Sequence, residues 1–247
     1  MRADYAEIFQ STENVDKYTD VVYAPGSYAS HVNNRQRRFV RDLVARTFHD
    51  RRPVQHDFAC GTGRAIRLLH GLVRAAHGYD PSAEMLAKAA EAGTRATLHR
   101  IAASGPLPVP AAGSDGPALV TMFRLLLNVP EDVRDRAIAF AATALPTADA
   151  GLLVVENHGN RQSLRHLAAR RHAAEAWFSE LSHAQVLSLF ERHGFELVTA
   201  RAFAVLPAGA YRRSWLRPAA RVVDDLLCRV PFLWRWGTDV LYVARRR

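Results

Sequence analysis

The sequence is short of cysteine, lysine and long apolar runs, and each shortage excludes something. Cys60 and Cys228 are its only cysteines, too few for a disulfide framework, so a reducing cytoplasm is the expected setting. Lysine is confined to Lys17 and Lys88, and the net charge of +9 therefore rests on arginine. Arginine pairs and runs at Arg37-Arg38, Arg170-Arg171, Arg212-Arg213 and Arg245–Arg247 are spread along the chain. That spread reads as a solvated basic surface rather than a nucleic-acid groove; an anionic substrate or a membrane surface are the other readings. The apolar stretch "LVTMFRLLLNV" is broken by Arg124, so no integral membrane span is expected. The opening "MRADYAEIFQ" carries acid and no apolar core, so no secretory signal is expected either. No Cys/His or carboxylate grouping has metal-ligand spacing, so no metal is expected. No repeat, low-complexity tract or linker divides the 247 residues, which are read as one domain spanning 1–247.

What is present is a glycine turn. A short run enters from Val54, Gly61-Thr62-Gly63 follows, and Ile66, Leu68 and Leu69 begin a helical pattern. A strand that ends in glycines opening a helix brings backbone close to a ligand at the edge of an α/β sheet. Glycine tolerates positive φ there and has no Cβ to hold the ligand away. A second apolar run, "AHGYD", ends at Asp80 and leads into a helix at Pro81-Ser82. An acid at that point is placed to accept both hydroxyls of a ribose. The third glycine of the dinucleotide fingerprint is missing, and Ile66 occupies its region. This disfavours a pyrophosphate and suits a nucleoside that carries no phosphate.

"DFACGTG" at 57–63 and "GYDPSAEMLAKA" at 78–89 resemble the first two motifs of the class I S-adenosylmethionine-dependent methyltransferases. The resemblance implies a Rossmann-like, doubly wound α/β fold. Its seven-stranded sheet would have the order 3-2-1-4-5-7-6 with the last strand antiparallel. It implies S-adenosylmethionine as cofactor and S-adenosylhomocysteine as product. Carried onto this chain, the cofactor residues are Tyr28, Asp57, Ala59, Gly61, Gly63, Asp80, Pro81, Met85, Ala103, Ser104, Phe123 and Arg124. Asp80 would hold the ribose, Met85 would pack on the adenine, and Phe123 and Arg124 would face the sulfonium end. One departure stands out. Many relatives have Gly-Asp after strand three to hold the adenine amine, whereas Ala102-Ala103 stands here. A backbone carbonyl, Ser104 or water would have to serve instead.

Periodicity predicts helices over 33–49, 63–74 and 81–93, and strands over 54–59, 73–80 and 96–103. Strand four ends at Met122-Phe123-Arg124, and Pro130, Glu131 and Asp132 open the next helix. "GLLVVENHGN" is strand five, and residues 160–178 read as helical. A helix runs from its N-cap Ser182 to Gly194, followed by strand six over 195–205 and the last strand over 239–245. Tyrosines Tyr5, Tyr18, Tyr23 and Tyr28 mark residues 1–50 as an N-terminal lid with helices. The core is then 51–206 with 239–247, and residues 207–238 are an insertion where a short hairpin would suffice.

Methyl transfer from a sulfonium is an in-line displacement, so the protein must mainly align the reactants and exclude water. A hydroxyl, phenol or ammonium acceptor also needs a base, and His158, after strand five, is the candidate. Asn157 and Asn160 share its loop, and Asn128, Asn157, Tyr211 and Trp215 are the expected substrate contacts. The insertion is expected to close over the acceptor. Its helix, Val222–Val230, is amphipathic, with Val223, Leu226 and Leu227 set against Asp224, Asp225 and Arg229. A dimer contact and a membrane-surface contact are its rival roles. The expected partner is a small molecule of specialised metabolism, with no nucleic acid and no integral membrane association, in a monomer or homodimer. The alternatives are an RNA methyltransferase, against which stand the lack of an appended module and "FRLL" after strand four, and a fold that binds the cofactor for a non-methylating reaction.

Overall fold

The computed structural model describes residues 27–110, 116–169, 180–211, 213 and 215–247. Tyr5, Tyr18 and Tyr23 of the expected lid lie outside the described residues, as do Arg170, Arg171, Trp177 and Arg212. Seven strands form one sheet: β1 (Val54–Phe58), β2 (Ala75–Asp80), β3 (Thr97–Arg100), β4 (Ala118–Met122), β5 (Gly151–Asn157), β6 (Phe195–Ala204) and β7 (Asp239–Arg246). Their order is β3-β2-β1-β4-β5-β7-β6. Neighbours from β3 to β5 are parallel, and β7 runs antiparallel to both β5 and β6. This is the sheet that the two motifs implied.

The described helices are α1 (Tyr28–Thr47), α2 (Arg64–Leu69), α3 (Ala83–Glu91), α4 (Glu131–Ala144), α5 (Leu164–Ala169), α6 (His183–Arg192) and α7 (Arg217–Leu227). Successive side chains of a strand point to opposite faces, and the central strands are apolar on both. Leu119, Val154, Leu241 and Val243 pack with Val40 and Val44 of α1 and Leu68 and Leu69 of α2. On the other face, Val120, Met122, Leu153 and Tyr242 pack with Ile138 and Phe140 of α4 and Val186 and Phe190 of α6. The ladder therefore stands fixed between two helical layers, with the carboxyl ends of β1, β2, β4 and β5 on one edge.

Several boundaries differ from the sequence reading, each for a local reason. The first helix starts at Tyr28 rather than 33, because Ser27 caps it by accepting from Ser30 N at 3.0 Å. The helix expected over 63–74 stops at Leu69. Gly71 turns the chain at φ 83°, and Arg41 of α1 takes the carbonyls of Leu68 and His70. Ser182 forms a full capping box with Gln185, and Gly194 follows α6 at φ 73°.

The insertion consists of a 3₁₀ turn over Ala208–Tyr211, α7, and a second 3₁₀ turn over Pro231–Trp236. Pairing of Ala204 and Asn157 with the start of β7 puts both its ends at the carboxyl edge of the parallel strands. Its helix begins five residues before the expected Val222, with Pro218 in the first turn where a missing N–H costs nothing. Its facing is mixed: Leu227 packs on the core, and Asp225 and Arg229 are exposed. Asp224 is fully buried, while Val222, Val223 and Leu226 are exposed. The cause is Arg35 of α1, whose guanidinium waits beneath α7 and bonds Asp224 at 3.1 Å.

Candidate active site

A cavity of about 470 Å³ opens beyond β1, β2 and β4. Its size is that of a small-molecule site, which spans roughly 300–1,000 Å³. Asp57, Ala59, Gly61, Asp80, Pro81, Met85, Ala103, Ser104, Phe123 and Arg124 line it. Gly63 does not; it turns the chain into α2 at φ 74°, where a Cβ would collide with Thr94. Ala59 and Arg124, at the ends of β1 and β4, both adopt positive φ, at 56° and 59°. Left-handed backbone at two non-glycine residues beside one cavity is a strained arrangement of the kind found at ligand sites.

Asp80 is the best-defined group in the wall. Its Oδ2 accepts from Gly61 N at 2.8 Å and its Oδ1 from Ser82 N at 2.9 Å. Those bonds fix the carboxylate plane and leave each oxygen a further lone pair. Burial pushes the carboxyl up to about 6, against the pull of the two N–H groups. Asp57 lies deeper and accepts from the Thr121 hydroxyl at 2.6 Å. Burial lifts it to about 7, with Thr121 and Arg64 opposing. Gly61 leaves its space open: a Cβ there would lie 3.9 Å from the Met85 sulfur.

Arg64, the first residue of α2, also lines the cavity and was not singled out by sequence. Its Nη2 bonds Glu156 Oε2 at 2.7 Å, and its Nη1 reaches Asn33 Oδ1 and Gln36 Oε1 at 3.1 and 3.0 Å. The guanidinium lies over the Phe123 ring, 4.9 Å from its centre. Behind it, Gln36 Nε2 donates to Glu156 Oε1 at 2.6 Å and to Asp239 Oδ1 at 3.3 Å. Burial is the largest influence on Glu156 and opposes its charge, but Arg64, His158, Arg124 and a hydrogen bond from Asp239 together overcome it and keep that carboxyl ionised. Burial and the charge on Glu156 keep Asp239 protonated.

The remaining expected residues lie elsewhere. His158 is buried, does not line the cavity, and has Nε2 3.5 Å from Asn128 Nδ2. Burial, with Arg124 nearby, holds its pKa well below the usual value, so the ring is neutral at pH 7. Asn128 donates to Arg124 O at 2.7 Å. Asn157 donates to Leu181 O at 3.2 Å and accepts from Gly159 N at 3.3 Å. Asn160 donates to Arg235 O and Gly237 O, each at 2.8 Å. These asparagines tie the β5 loop to its neighbours. Tyr211 is buried, gives its hydroxyl to Asp224 at 2.5 Å, and meets Tyr28 edge-on at 5.1 Å. Trp215 is exposed.

The model of a family described as a methyltransferase domain matches residues 29–200. The chain belongs to that family. No curated protein sequence matches it. Among solved structures, the magnesium protoporphyrin IX methyltransferase ChlM of Synechocystis PCC 6803, with bound S-adenosylhomocysteine, is 15% identical. It covers 98% of this chain and 97% of its own, with a TM-score of 0.60. The DhpI–S-adenosylhomocysteine complex is 14% identical over 99% and 98%, with a TM-score of 0.59. The [4+2]-cyclase SpnF is 18% identical over 89% and 82%, at 0.52. Identities this low speak for the shared fold. In this methyltransferase no acid stands directly after β3, but Asp132, in the first turn of α4, lines the same cavity as Ala103 and Ser104. Sequence spacing alone does not reveal this, since the two segments meet only once β4 has folded between them. Among the described residues no group of His, Cys, Asp and Glu is placed to hold a metal.

Proposed function

We propose that this methyltransferase transfers a methyl group from S-adenosylmethionine to a small-molecule acceptor. The observation that carries the reading is Asp80, locked by Gly61 and Ser82 in the wall of a cavity at the carboxyl edge of the sheet. S-adenosylmethionine, when bound, supplies an activated methyl group. Asp80 takes the ribose hydroxyls, Met85 and Pro81 flank the base, and Asp132 takes the adenine amine in place of the acid absent after β3. Asn33 and Arg64 hold the amino-acid end, a carboxylate-accepting guanidinium beside an amide oxygen. Phe123 and Arg124 wall the end toward the acceptor and exclude water there. His158, outside the cavity and of weakened basicity, positions the β5 loop rather than taking a proton. A fold shared over 98% of this chain with a magnesium protoporphyrin IX methyltransferase, named for a small acceptor, supports a small acceptor over a polymer.

Asp80→Ala is expected to weaken S-adenosylhomocysteine binding by about 1.5–3 kcal/mol, the range for hydrogen bonds to a charged group. Titration calorimetry on both proteins checks it, and an unchanged affinity removes the ribose assignment. The pH dependence has a fixed sign. The hydroxyls need the ionised carboxylate, so affinity falls as the pH drops through about 6, the value to which burial raises Asp80. Binding near that pH should release protons, read from heats in buffers of different ionisation enthalpy; at pH well above it, none. In the ligand-free protein the sign is opposite. The stability Asp80 contributes is full below its ordinary 3.8 and is lost as the pH rises through about 6.

Labelled cofactor incubated with enzyme and a cell extract tests the acceptor class. Label in the organic fraction supports the reading. Label in RNA, with binding that weakens steeply in salt, would replace it. The cyclase fold neighbour favours a second reading, cofactor binding without methyl transfer, which predicts no transferred label at all.

A further inference from the structure

The apolar side of the insertion points away from the fold. Trp215 is 72% exposed, Val222 60%, Leu226 57% and Phe232 62%, and Val223 and Trp236 are exposed beside them. Val222, Val223 and Leu226 share one side of α7, opposite the buried Asp224. Single exposed apolar residues are ordinary, but three on one side of a short helix, with Phe232 and Trp236 paired edge-on at 6.4 Å in the turn that follows it, mark a contact surface.

Its surroundings are cationic. Arg213 and Arg229 flank α7 along the chain and Arg235 lies in the turn 231–236, all three exposed. The groove at the end of α7 sets Arg229 beside Arg37, Arg38 and Arg201. The acids nearby are already engaged: Asp225 pairs with Arg35 at 2.7 Å, and Asp42 pairs with Arg46 at 2.7 Å. A second copy of the chain docked on this face would bring two arginine rims together. An anionic bilayer answers both features, taking the aromatic and aliphatic side chains at the headgroup boundary and the arginines at its charged surface.

We propose that α7 and the turn 231–236 dock this methyltransferase on the surface of an anionic membrane, the helix lying in the interface plane. The buried Asp224–Arg35 pair holds the helix with that side outward. Both ends of the insertion stand at the carboxyl edge of the sheet, where the cavity opens.

The full chain should float with vesicles of equal parts phosphatidylcholine and phosphatidylglycerol at low salt, and much less with phosphatidylcholine alone. Val222→Glu/Leu226→Glu should cut the anionic-vesicle partition at least about tenfold, as two aliphatic groups leave the apolar phase. Its melting temperature and S-adenosylhomocysteine affinity should be unchanged. Arg213→Gln/Arg229→Gln/Arg235→Gln should give a comparable loss and flatten the salt dependence. Three results overturn the proposal. One is a wild-type chain that stays free of both vesicles. The second is binding that survives Val222→Glu/Leu226→Glu, which would leave only diffuse attraction by net charge. The third is a wild-type dimer in sedimentation that the same variant converts to monomer. Vesicle binding is read without cofactor or acceptor, so it stands apart from the methyl-transfer assays.

Discussion

Asp224→Ala is expected to lower stability by about 3–5 kcal/mol, the cost of removing one partner from a buried ionic network. Asp224 is fully buried, and every lone pair has a use. Oδ1 accepts from the backbone N–H of Val205 and Leu206 at 2.8 and 2.9 Å. Oδ2 accepts from the Tyr211 hydroxyl at 2.5 Å and from Arg35 at 3.1 Å. Alanine would leave two backbone donors, a hydroxyl and a guanidinium without that acceptor. Asparagine would not rescue it, because its amide nitrogen must face one of the two donor pairs. Denaturant unfolding measures the loss, and hydrogen exchange should show faster opening at residues 205–211 than in β4 or β5. A loss under about 1 kcal/mol, the size of a single neutral hydrogen bond, would mean that packing alone holds the insertion.

That carboxylate also decides what the sequence left open about the insertion. The alternation of Val222, Val223 and Leu226 with Asp224 and Asp225 defines an amphipathic helix, and it defines it equally well for either facing. The choice is made by Arg35, far away in the chain, whose guanidinium also holds Phe203 O and Arg221 O at 2.9 and 3.0 Å. Burial of a charge depends on a partner that helical periodicity does not contain. The glycine turn and Asp80 were legible for the converse reason. Their roles rest on local backbone demands, positive φ at Gly61 and Gly63 and an acid at the strand end, and these sit within one stretch of chain. The sheet order followed from the family resemblance those motifs carry.

The asparagines after β5 show the limit of reasoning from position. Asn157 and Asn160 do stand at the carboxyl edge, where ligands bind in such folds. Their amides are nonetheless consumed by Leu181 O, Arg235 O and Gly237 O. Asp132 and Arg64 went the other way. Each reads locally as a helix-opening residue, and each reaches the cavity through contacts formed only when distant elements meet.

Arg64→Met should be the most damaging change inside the site, again about 3–5 kcal/mol, because it leaves a buried carboxylate without its cation. Burial is the largest influence on Glu156, and Arg64 is the largest of the several that together overcome it and keep the carboxyl ionised. Without that guanidinium, Glu156 and the Asp239 hydrogen-bonded to it would have no positive charge in hydrogen-bond reach, and the pair must take up a second proton. Glu156→Gln combined with Arg64→Met should recover much of the loss, since the variant then buries no unpaired charge. The pH profile separates this from simple loss of packing. A depressed carboxyl such as Glu156 contributes stability that is present above its ordinary 4.5 and lost as the pH falls through its folded value. Wild type should therefore lose this contribution on the acid side, while Arg64→Met lacks it already at neutral pH and loses less on acidification. Urea unfolding of the two single variants and the double between pH 3 and 8 closes the cycle. If the double variant is as unstable as the sum of the singles, Arg64 and Glu156 act independently, and the guanidinium serves the cavity without anchoring β5 to α2.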